Sequence, residues 1–386
     1  MPASRTKIRI GHLLTALWPG GLERFVLTLA DSLPADEFEL CIYSWMGDDP
    51  WLEEFRQRGI PVRQLNAPNR ITGPKSLLQI LRAWCELVGM LRDDRIEILQ
   101  THDFFPSLIG RTASLLAGVS RRVSTLHNLY SWWPDWVFAC NRLLAHRTDA
   151  IVCVSESVRR YFIAREGLPP DRYRTILNSV DGEHFVPDAS RRTSIRQELG
   201  IAPDEILIGS VGSITTRKAQ HLLVEAASTL IAEGHRIQVR FWGANRANPQ
   251  HAEQEVQARI ASLGLQSQVQ ILPPRQDIEA VFAALDIHCM TSVAEGLSLA
   301  SIEAVLAGAI AVYSDIGPFQ EVVEDGLTGF LFKSGDSQDL ARVLRRVMTD
   351  PAGLVGVREK ARDAAMQRFG MDRFVSEWST LYRSIR

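Results

Sequence analysis

The sequence has few cysteines, and those it has are not arranged for disulfides or zinc. In 386 residues the five cysteines are odd in number and scattered, and no two form a Cys-x-x-Cys pair. This distribution argues against a disulfide framework and against a structural zinc site. The five are Cys41, Cys85, Cys140, Cys153 and Cys289. We therefore expect a reducing, cytoplasmic location.

Other motifs that the sequence lacks argue against further classes of protein. No run approaches the roughly 18 apolar residues of a membrane-spanning helix, so any contact with the inner membrane would be peripheral, on its cytoplasmic face. The net charge of −2 and the lack of a basic stripe argue against a nucleic-acid partner. No Gly-x-Gly-x-x-Gly follows a strand, as a nicotinamide dehydrogenase would need. No Asp-x-Asp motif or His/Cys cluster has ligand spacing, so we expect no metal and no other cofactor.

The composition is that of a protein that folds along its whole length. Hydrophobic residues make up 46% and charged residues 23%, which leaves no room for a large disordered tail. A chain this long exceeds what one core usually serves, so two domains are expected, with a cleft between them as the first place to look for a site.

Short apolar runs alternate with longer segments of helical period, which predicts an α/β protein with parallel sheets. The predicted strands of the first half are residues 8–14, 39–44, 60–65, 98–102, 122–126, 150–154 and 173–177. Those of the second half are residues 206–211, 238–242, 269–272, 287–289, 309–313 and 329–332. The periodicity lapses around residues 178–181 and 187–193, where we place the linker. The predicted parts are domains 1–184 and 185–366 and a C-terminal helix, 367–386, packed on the first domain.

The most informative stretch runs from Thr291 into the strand after Gly308. It places Glu295 on a loop after a strand and Glu303 about one turn into the following helix. The N-terminus of that helix would be an anion site, because its free N–H groups and its dipole favour a phosphate. Two carboxylates there suit sugar and ribose hydroxyls, since each accepts several hydrogen bonds.

This segment resembles the Glu-x7-Glu signature of the family-four retaining glycosyltransferases of the GT-B fold, the glycosyl transferases group 1. Further matches follow the family's order along nearly the whole chain. They are the glycine loop with Gly20, Gly21 and Glu23, the active-site histidine His127, Ser155 with Glu156, Asn178 with Asp181, the phosphate loop from Gly212 to Lys218, and residues 321–329.

The resemblance implies two facing Rossmann-like domains with parallel sheets and an inter-domain cleft. It also implies that a hexosyl unit passes, with retention, from a UDP- or GDP-sugar to a hydroxyl of a sugar or lipid-linked acceptor. The family commonly serves bacterial polysaccharide, lipopolysaccharide or glycolipid assembly. Its implied catalytic residues are His127, Glu295 and Lys218. Its implied donor-binding residues are Gly20, Gly21, Arg217, Lys218, Gly296, Leu297, Ser298, Leu299 and Glu303.

Within this set, Glu303 would hold the ribose, Glu295 the sugar hydroxyls, and the amides of residues 297–299 with the two cations the diphosphate. The loop departs from the family pattern, since Ser213 stands where an arginine is usual and Ala219 where a glycine is usual. Structural interpretations stay open beside the functional ones. The glycine pair could form only a tight turn, His127 could be a capping residue, and the two cations could lie on a solvated turn.

The acceptor side is the least readable part. His102 and Asp103 at a strand end, and Trp132 and Trp133 after His127, are the candidates. The aromatic segment could equally be a helix packed on the domain. Residues 75–92 form an amphipathic helix that would normally face the core, although an interfacial membrane role is open.

Two other functions remain open. A sugar-nucleotide epimerase or phosphorylase would share the architecture, and a non-catalytic sugar-nucleotide-binding protein is conceivable because of Ser213.

Overall fold

The computed structural model describes residues 7–131, 133–243, 249–350 and 353–386. They form two compact units. The N-terminal unit comprises the chain up to Asn178 together with Asp372–Arg386, and the C-terminal unit comprises Ser179–Met371.

The N-terminal unit is built on a seven-stranded parallel sheet. Its strands are β1 (Ile8–Leu14), β2 (Phe38–Ser44), β3 (Val62–Gln64), β4 (Ile98–His102), β5 (Arg121–Leu126), β6 (Ala150–Cys153) and β7 (Tyr173–Thr175). Their order across the sheet is β3-β2-β1-β4-β5-β6-β7. The central strands β1 and β4 are almost wholly buried because helices cover both faces, so that polar residues on them, such as His12 and Gln100, are buried as well.

Helices cover both faces of this sheet. They are α1 (Gly21–Ser32), α2 (Leu52–Gln57), α3 (Pro74–Asp93), α4 (Phe104–Ala117), α5 (Asp135–Ala145) and α6 (Glu156–Glu166). One apolar cluster joins α1 and α2 to the sheet through Phe25 and Phe55. A separate cluster joins α3 and α4 to it through Leu87 and Ala113. The order reverses between β1 and β4, which is the topological switch point where open α/β sheets bind ligands.

The C-terminal unit contains a six-stranded parallel sheet of order β10-β9-β8-β11-β12-β13. Its strands are β8 (Ile206–Val211), β9 (Ile237–Trp242), β10 (Val269–Leu272), β11 (Ile287–Met290), β12 (Ile310–Ser314) and β13 (Phe330–Phe332). Its helices are α7 (Ala189–Glu198), α8 (His221–Ala232), α9 (Pro249–Ser262), α10 (Ile278–Ala284), α11 (Leu299–Leu306), α12 (Gly317–Gln320), α13 (Ser337–Thr349) and α14 (Leu354–Phe369). The predicted pair of Rossmann-like parallel sheets is therefore present, with a switch point between β8 and β11.

The polar stretch predicted as linker, residues 187–193, instead contains the start of α7. The Asp188 side chain caps this helix by accepting the amides of Ser190 and Arg191 at 2.8 and 2.9 Å. The helix is strongly polar and buries little besides Ile195 and Arg196. Its sequence therefore has no apolar stripe that would predict a helix. The division between the units falls after Asn178 rather than after residue 184.

The last helix, α15 (Met371–Ile385), contributes to the core of the N-terminal unit. Phe374, Trp378 and Tyr382 lie on its buried face, and the Phe374 and Trp378 rings meet the Phe25 ring edge-on. The Tyr382 hydroxyl donates to Gln100 Oε1 at 2.5 Å, inside the sheet. The aromatic residues at helical spacing in this segment thus complete the core of the N-terminal unit.

Throughout the residues that are described, no helix is long and apolar enough to cross a membrane.

Candidate active site

In the C-terminal unit, the candidate donor residues follow the carboxyl ends of β8 and β11. The loop after β8 turns at Gly212, whose φ of +135° is one that side chains rarely adopt. The Gly212 amide donates to the Trp242 carbonyl at 2.7 Å. A Cβ on Gly243 would lie 1.9 Å from the Gly212 carbonyl oxygen, so this close approach of two strand ends requires glycine. Thr215 then caps a short 3-10 helix, Thr216–Lys218, with its hydroxyl accepting the Lys218 amide.

Both cations of this loop contact Glu295. Lys218 Nζ lies 2.7 Å from Glu295 Oε1, and Arg217 Nη1 lies 2.9 Å from Glu295 Oε2. Backbone contacts fix the pairing, since the Val293 amide donates to the Arg217 carbonyl and the Thr291 hydroxyl to the Lys218 carbonyl. The loops after two neighbouring strands therefore form one charged cluster.

The electrostatics keep Glu295 ionised. Burial alone would raise the pKa of its carboxyl, but Lys218 and Arg217 outweigh this effect and lower it to about 2. The Glu295 side chain is only 8% exposed, so water screens the pairs weakly. A carboxylate held in this way can accept sugar hydroxyls, and the cations beside it can meet a phosphate.

Helix α11 begins directly after this cluster. Its N-cap is Ser298, whose side chain makes no capping hydrogen bond to the first turn. That leaves the first amides of the helix without a cap from this side chain, which is the arrangement that favours anions. Leu297 and Glu303 are buried at 5% and 4% exposure, with Glu303 in the helix as the sequence predicted.

The two departures from the family pattern have visible consequences in the loop. Ala219 has φ +48°, a left-handed conformation that suits the glycine usual at this position. Ser213 accepts a hydrogen bond from Gln220 Nε2 at its carbonyl, at 3.0 Å. Arg217 is thus the arginine that this loop brings to Glu295.

In the N-terminal unit, the candidate histidines lie at neighbouring strand ends. His102 ends β4 and His127 directly follows β5, and His102 Nδ1 lies 2.9 Å from His127 Nε2. Asp103 is half-buried and has an unusual φ of +63°. Burial and nearby Glu23 raise the pKa of Asp103 to about 7, although its carboxyl accepts the His127 amide. The structure thus brings three of the predicted residues together.

The glycine loop begins α1. Gly20 is extended, a conformation open to any residue, and a Cβ at Gly21 would meet no atom within 4 Å. Neither the backbone at Gly20 nor the packing at Gly21 therefore requires glycine.

The aromatic segment after His127 is partly packed. Trp133 stacks on Tyr130 with 3.9 Å between ring centroids, and it also contacts Phe104 and Phe138. These contacts favour the packing interpretation for Trp133. Trp132 lies outside the described residues.

Two further observations concern metal ligands and a cavity. Among the residues with described positions, no three His, Cys, Asp or Glu side chains converge as a metal site. A cavity of about 400 Å³ in the C-terminal unit lies along residues 320–325 and includes Arg368, but neither Glu295 nor Glu303 lines it.

Comparison with known proteins assigns the family. The model described as Glycosyltransferase Family 4 matches residues 19–184, and the one described as Glycosyl transferases group 1 matches residues 191–368. Together they span most of the chain, in the order that the motifs predicted. The chain belongs to the family-four GT-B glycosyltransferases.

Similar proteins align with nearly all of this glycosyltransferase. An Escherichia coli enzyme named UDP-Gal:alpha-D-GlcNAc-diphosphoundecaprenol alpha-1,3-galactosyltransferase is 24% identical over 99% of the chain and 98% of its own length. The alpha-maltose-1-phosphate synthase of Mycolicibacterium smegmatis is 25% identical over 82% and 85%. The structure of Anabaena HepE with UDP and glucose has a TM-score of 0.86 at 23% identity and covers 98% of this chain and 100% of its own. These agreements confirm the GT-B fold.

The structure places one further residue, His12, beside the candidate histidines. His12 lies on β1 with its Nδ1 3.1 Å from His102 Nε2. Its signal was its position on a central strand next to the switch point, which can be recognised only once β1 is known to pair with β4.

Proposed function

We propose that this glycosyltransferase moves a hexosyl unit, with retention, from a UDP- or GDP-sugar to a hydroxyl acceptor in bacterial polysaccharide or glycolipid assembly. The observation that carries the proposal is the buried Glu295 held between Arg217 and Lys218 at the carboxyl ends of two parallel strands. The names of similar proteins support it, since one relative is named for UDP-Gal and HepE has been solved with UDP-glucose.

The donor roles follow from the cluster. Glu303 binds the ribose, and Glu295 accepts hydroxyls of the sugar. Lys218, Arg217 and the amides of residues 297–299 with Gly296 bind the diphosphate, the task that a divalent cation performs in metal-dependent enzymes. We therefore propose that donor binding requires no metal.

Catalysis on this proposal rests on positioning and on stabilising the leaving group. The bond from the anomeric carbon to the diphosphate breaks, and the acceptor oxygen bonds to the same face of that carbon. The acceptor proton passes to the departing phosphate oxygen. Lys218 and Arg217 stabilise the charge that develops there.

The N-terminal unit supplies the other roles. His127 hydrogen-bonds the donor sugar, and the backbone at Gly20 and Gly21 approaches the diphosphate, for which the open space around Gly21 is support. Asp103 is proposed to bind the acceptor beside His102, whose two ring nitrogens are engaged by His12 and His127. The Asp103 Oδ1 atom is buried and has no hydrogen-bond partner among the described residues, as expected of a group that binds an external ligand.

Calorimetry with UDP- and GDP-sugars tests the donor site. We expect one nucleotide to bind selectively, with affinity unchanged by EDTA and lowered at least tenfold in Glu303→Ala, because the ribose hydroxyls lose their buried acceptor. The matched control is Glu233→Ala, which removes an exposed carboxylate paired with Arg345 in the same unit.

Each alternative has its own outcome. No binding of any nucleotide sugar by the wild type would contradict the donor site. Binding without turnover for any acceptor would favour the non-catalytic protein, and conversion of the donor without an acceptor would favour the epimerase or phosphorylase.

We also propose that the acceptor is lipid-linked and that the N-terminal unit contacts the cytoplasmic face of the membrane. The Escherichia coli relative is named for a diphosphoundecaprenol acceptor. In this chain, Ile71 is 66% exposed just before α3, and Leu77, Leu78 and Leu81 are 42%, 49% and 51% exposed in its first half.

The charges around this surface fit an anionic bilayer. Arg70, Lys75 and Arg82 are exposed beside the leucines, and residues 66–85 contain no acidic residue. An exposed apolar stripe flanked by cations is typical of helices that lie in a membrane interface. Further exposed apolar side chains, Leu115, Leu116, Trp136 and Leu143, lie on α4 and α5.

Co-sedimentation with vesicles tests this surface. Wild type should pellet with vesicles that contain anionic phosphatidylglycerol and much less with neutral phosphatidylcholine. Leu78→Glu/Leu81→Glu should lower the bound fraction at least tenfold, whereas Val355→Glu, at a 54% exposed position of the other unit, should bind like wild type. Equal vesicle binding by the double variant would contradict the assignment. If the wild type instead dimerises with rising concentration and the double variant does not, the surface binds a second copy of the chain rather than a bilayer.

A further inference from the structure

Three histidines, of which His12 and His102 are buried and His127 is half-buried, form a hydrogen-bonded row across neighbouring strands. His12 Nδ1 lies 3.1 Å from His102 Nε2, and His102 Nδ1 lies 2.9 Å from His127 Nε2. The His12 and His102 rings are stacked, with centroids 5.4 Å apart, and Phe25 packs edge-on against His102 and His127. Phe25 therefore packs against the His102 and His127 rings, and the His12 ring contacts that of His102.

All three rings are neutral at neutral pH. Burial lowers the pKa of His12 and of His127 to about 3, and burial with the neighbouring rings also lowers that of His102 well below its ordinary value. A neutral imidazole carries one N–H and one lone pair.

Because each ring has one hydrogen, the row has only two fully bonded states. If His102 carries its hydrogen on Nδ1, it donates to His127 Nε2 and must accept from His12 Nδ1. Every ring is then the Nδ1–H tautomer. If His102 carries its hydrogen on Nε2, both bonds reverse, and every ring is the Nε2–H tautomer. The tautomer of His127 is thus coupled to that of His12, two rings away.

The inner end of the row distinguishes these states. His12 Nε2 is buried and has no partner among the described residues. The Nε2–H state would leave a buried N–H without an acceptor there, whereas the Nδ1–H state leaves only a lone pair. Orphaned buried N–H groups are the rarer of the two in proteins.

We propose that His12 and His102 are positioning residues that hold His127 as the Nδ1–H tautomer. His127 then presents a hydrogen-bond donor at Nδ1, the ring nitrogen that does not face His102. Given the proposed function, in which His127 meets the donor sugar, it donates to a sugar oxygen and cannot accept from one. A protonated amino group at that sugar position has no lone pair to offer, so such a donor would be rejected.

The test reads the tautomers directly. The full chain is labelled with ¹⁵N-histidine, and long-range ¹H–¹⁵N correlation spectra identify the protonated ring nitrogen. The signals are assigned by their loss in His12→Gln, His102→Gln and His127→Gln. We expect protonated Nδ1 at all three positions. Protonated Nε2 at His127, or a mixture in the wild type, would overturn the proposal.

A second variant tests the coupling. His12→Phe keeps a ring in the same space but removes the bond to His102, so His102 and His127 should change from one tautomer to a mixture. An unchanged His127 signal in the folded variant would overturn the coupling, while buried His288 in the other unit serves as the unaffected reference. If this variant does not fold, the wild-type spectrum alone decides the tautomer. These spectra need no nucleotide sugar, so failure here is distinguishable from failure of the donor site, which calorimetry reports.

Discussion

Lys218→Met should lower kcat for sugar transfer by about 10²–10³-fold, the range found when one preorganised electrostatic contact to a developing negative charge is lost. Methionine keeps most of the side-chain volume, so the loop after β8 should keep its shape. The change removes the ammonium 2.7 Å from Glu295 and leaves Arg217 as the cation of this loop that meets the diphosphate.

Initial rates of nucleotide release at saturating donor measure this effect. The control is Lys333→Met, which removes a lysine whose side chain is 79% exposed in the same unit and should leave kcat unchanged. A Lys218→Met enzyme within a few-fold of wild type would show that this ammonium does not stabilise the leaving group.

Glu295→Gln should destabilise the C-terminal unit by about 3–5 kcal/mol, because it leaves two partly buried cations without their carboxylate. Arg217 and Lys218 are only 28% and 12% exposed, so water compensates them incompletely. Denaturant unfolding of the full chain at pH 7 measures the loss. Glu233→Gln should unfold like wild type because its ion pair with Arg345 lies at the surface.

The same variant should show a defined pH dependence. The pKa of folded Glu295 is about 2, below the ordinary value of 4.5, so its ionisation stabilises the fold above about pH 4.5. That contribution disappears as the pH falls from there through 2. The stability difference between wild type and Glu295→Gln should therefore be largest above pH 5 and should narrow toward pH 3. A difference that stays constant over this range would contradict the depressed pKa.

The fold could be predicted well where apolar runs are bounded by turns. Residues 8–14 and 206–211 were predicted as strands with the bounds they have in the structure, because each is a central strand buried on both sides. The edge strands were less accurate. The strand predicted at residues 60–65 is only Val62–Gln64 in the structure. Its side chains are partly exposed, so the sequence shows little hydrophobic pattern to mark its ends.

The candidate site could be predicted as a set of residues but not as a set of contacts. The resemblance supplied Glu295, Arg217 and Lys218, yet nothing in the sequence shows that one carboxylate would contact two cations that lie 77 and 78 positions before it in the chain. The histidine row was missed for the same reason. His12 and His102 are 90 positions apart, and only the pairing of β1 with β4 brings them together.

Helix α15 links the synthesis of the chain to the completion of its first core. The ribosome makes Phe374, Trp378 and Tyr382 roughly 200 residues after β7, which is about 10–40 s later at ordinary rates of elongation. During that interval Phe25 on α1 lacks the rings of Phe374 and Trp378 that pack against it, while the whole C-terminal unit emerges and can fold. The N-terminal unit can therefore complete its core only after the residues of the unit that follows it have been made.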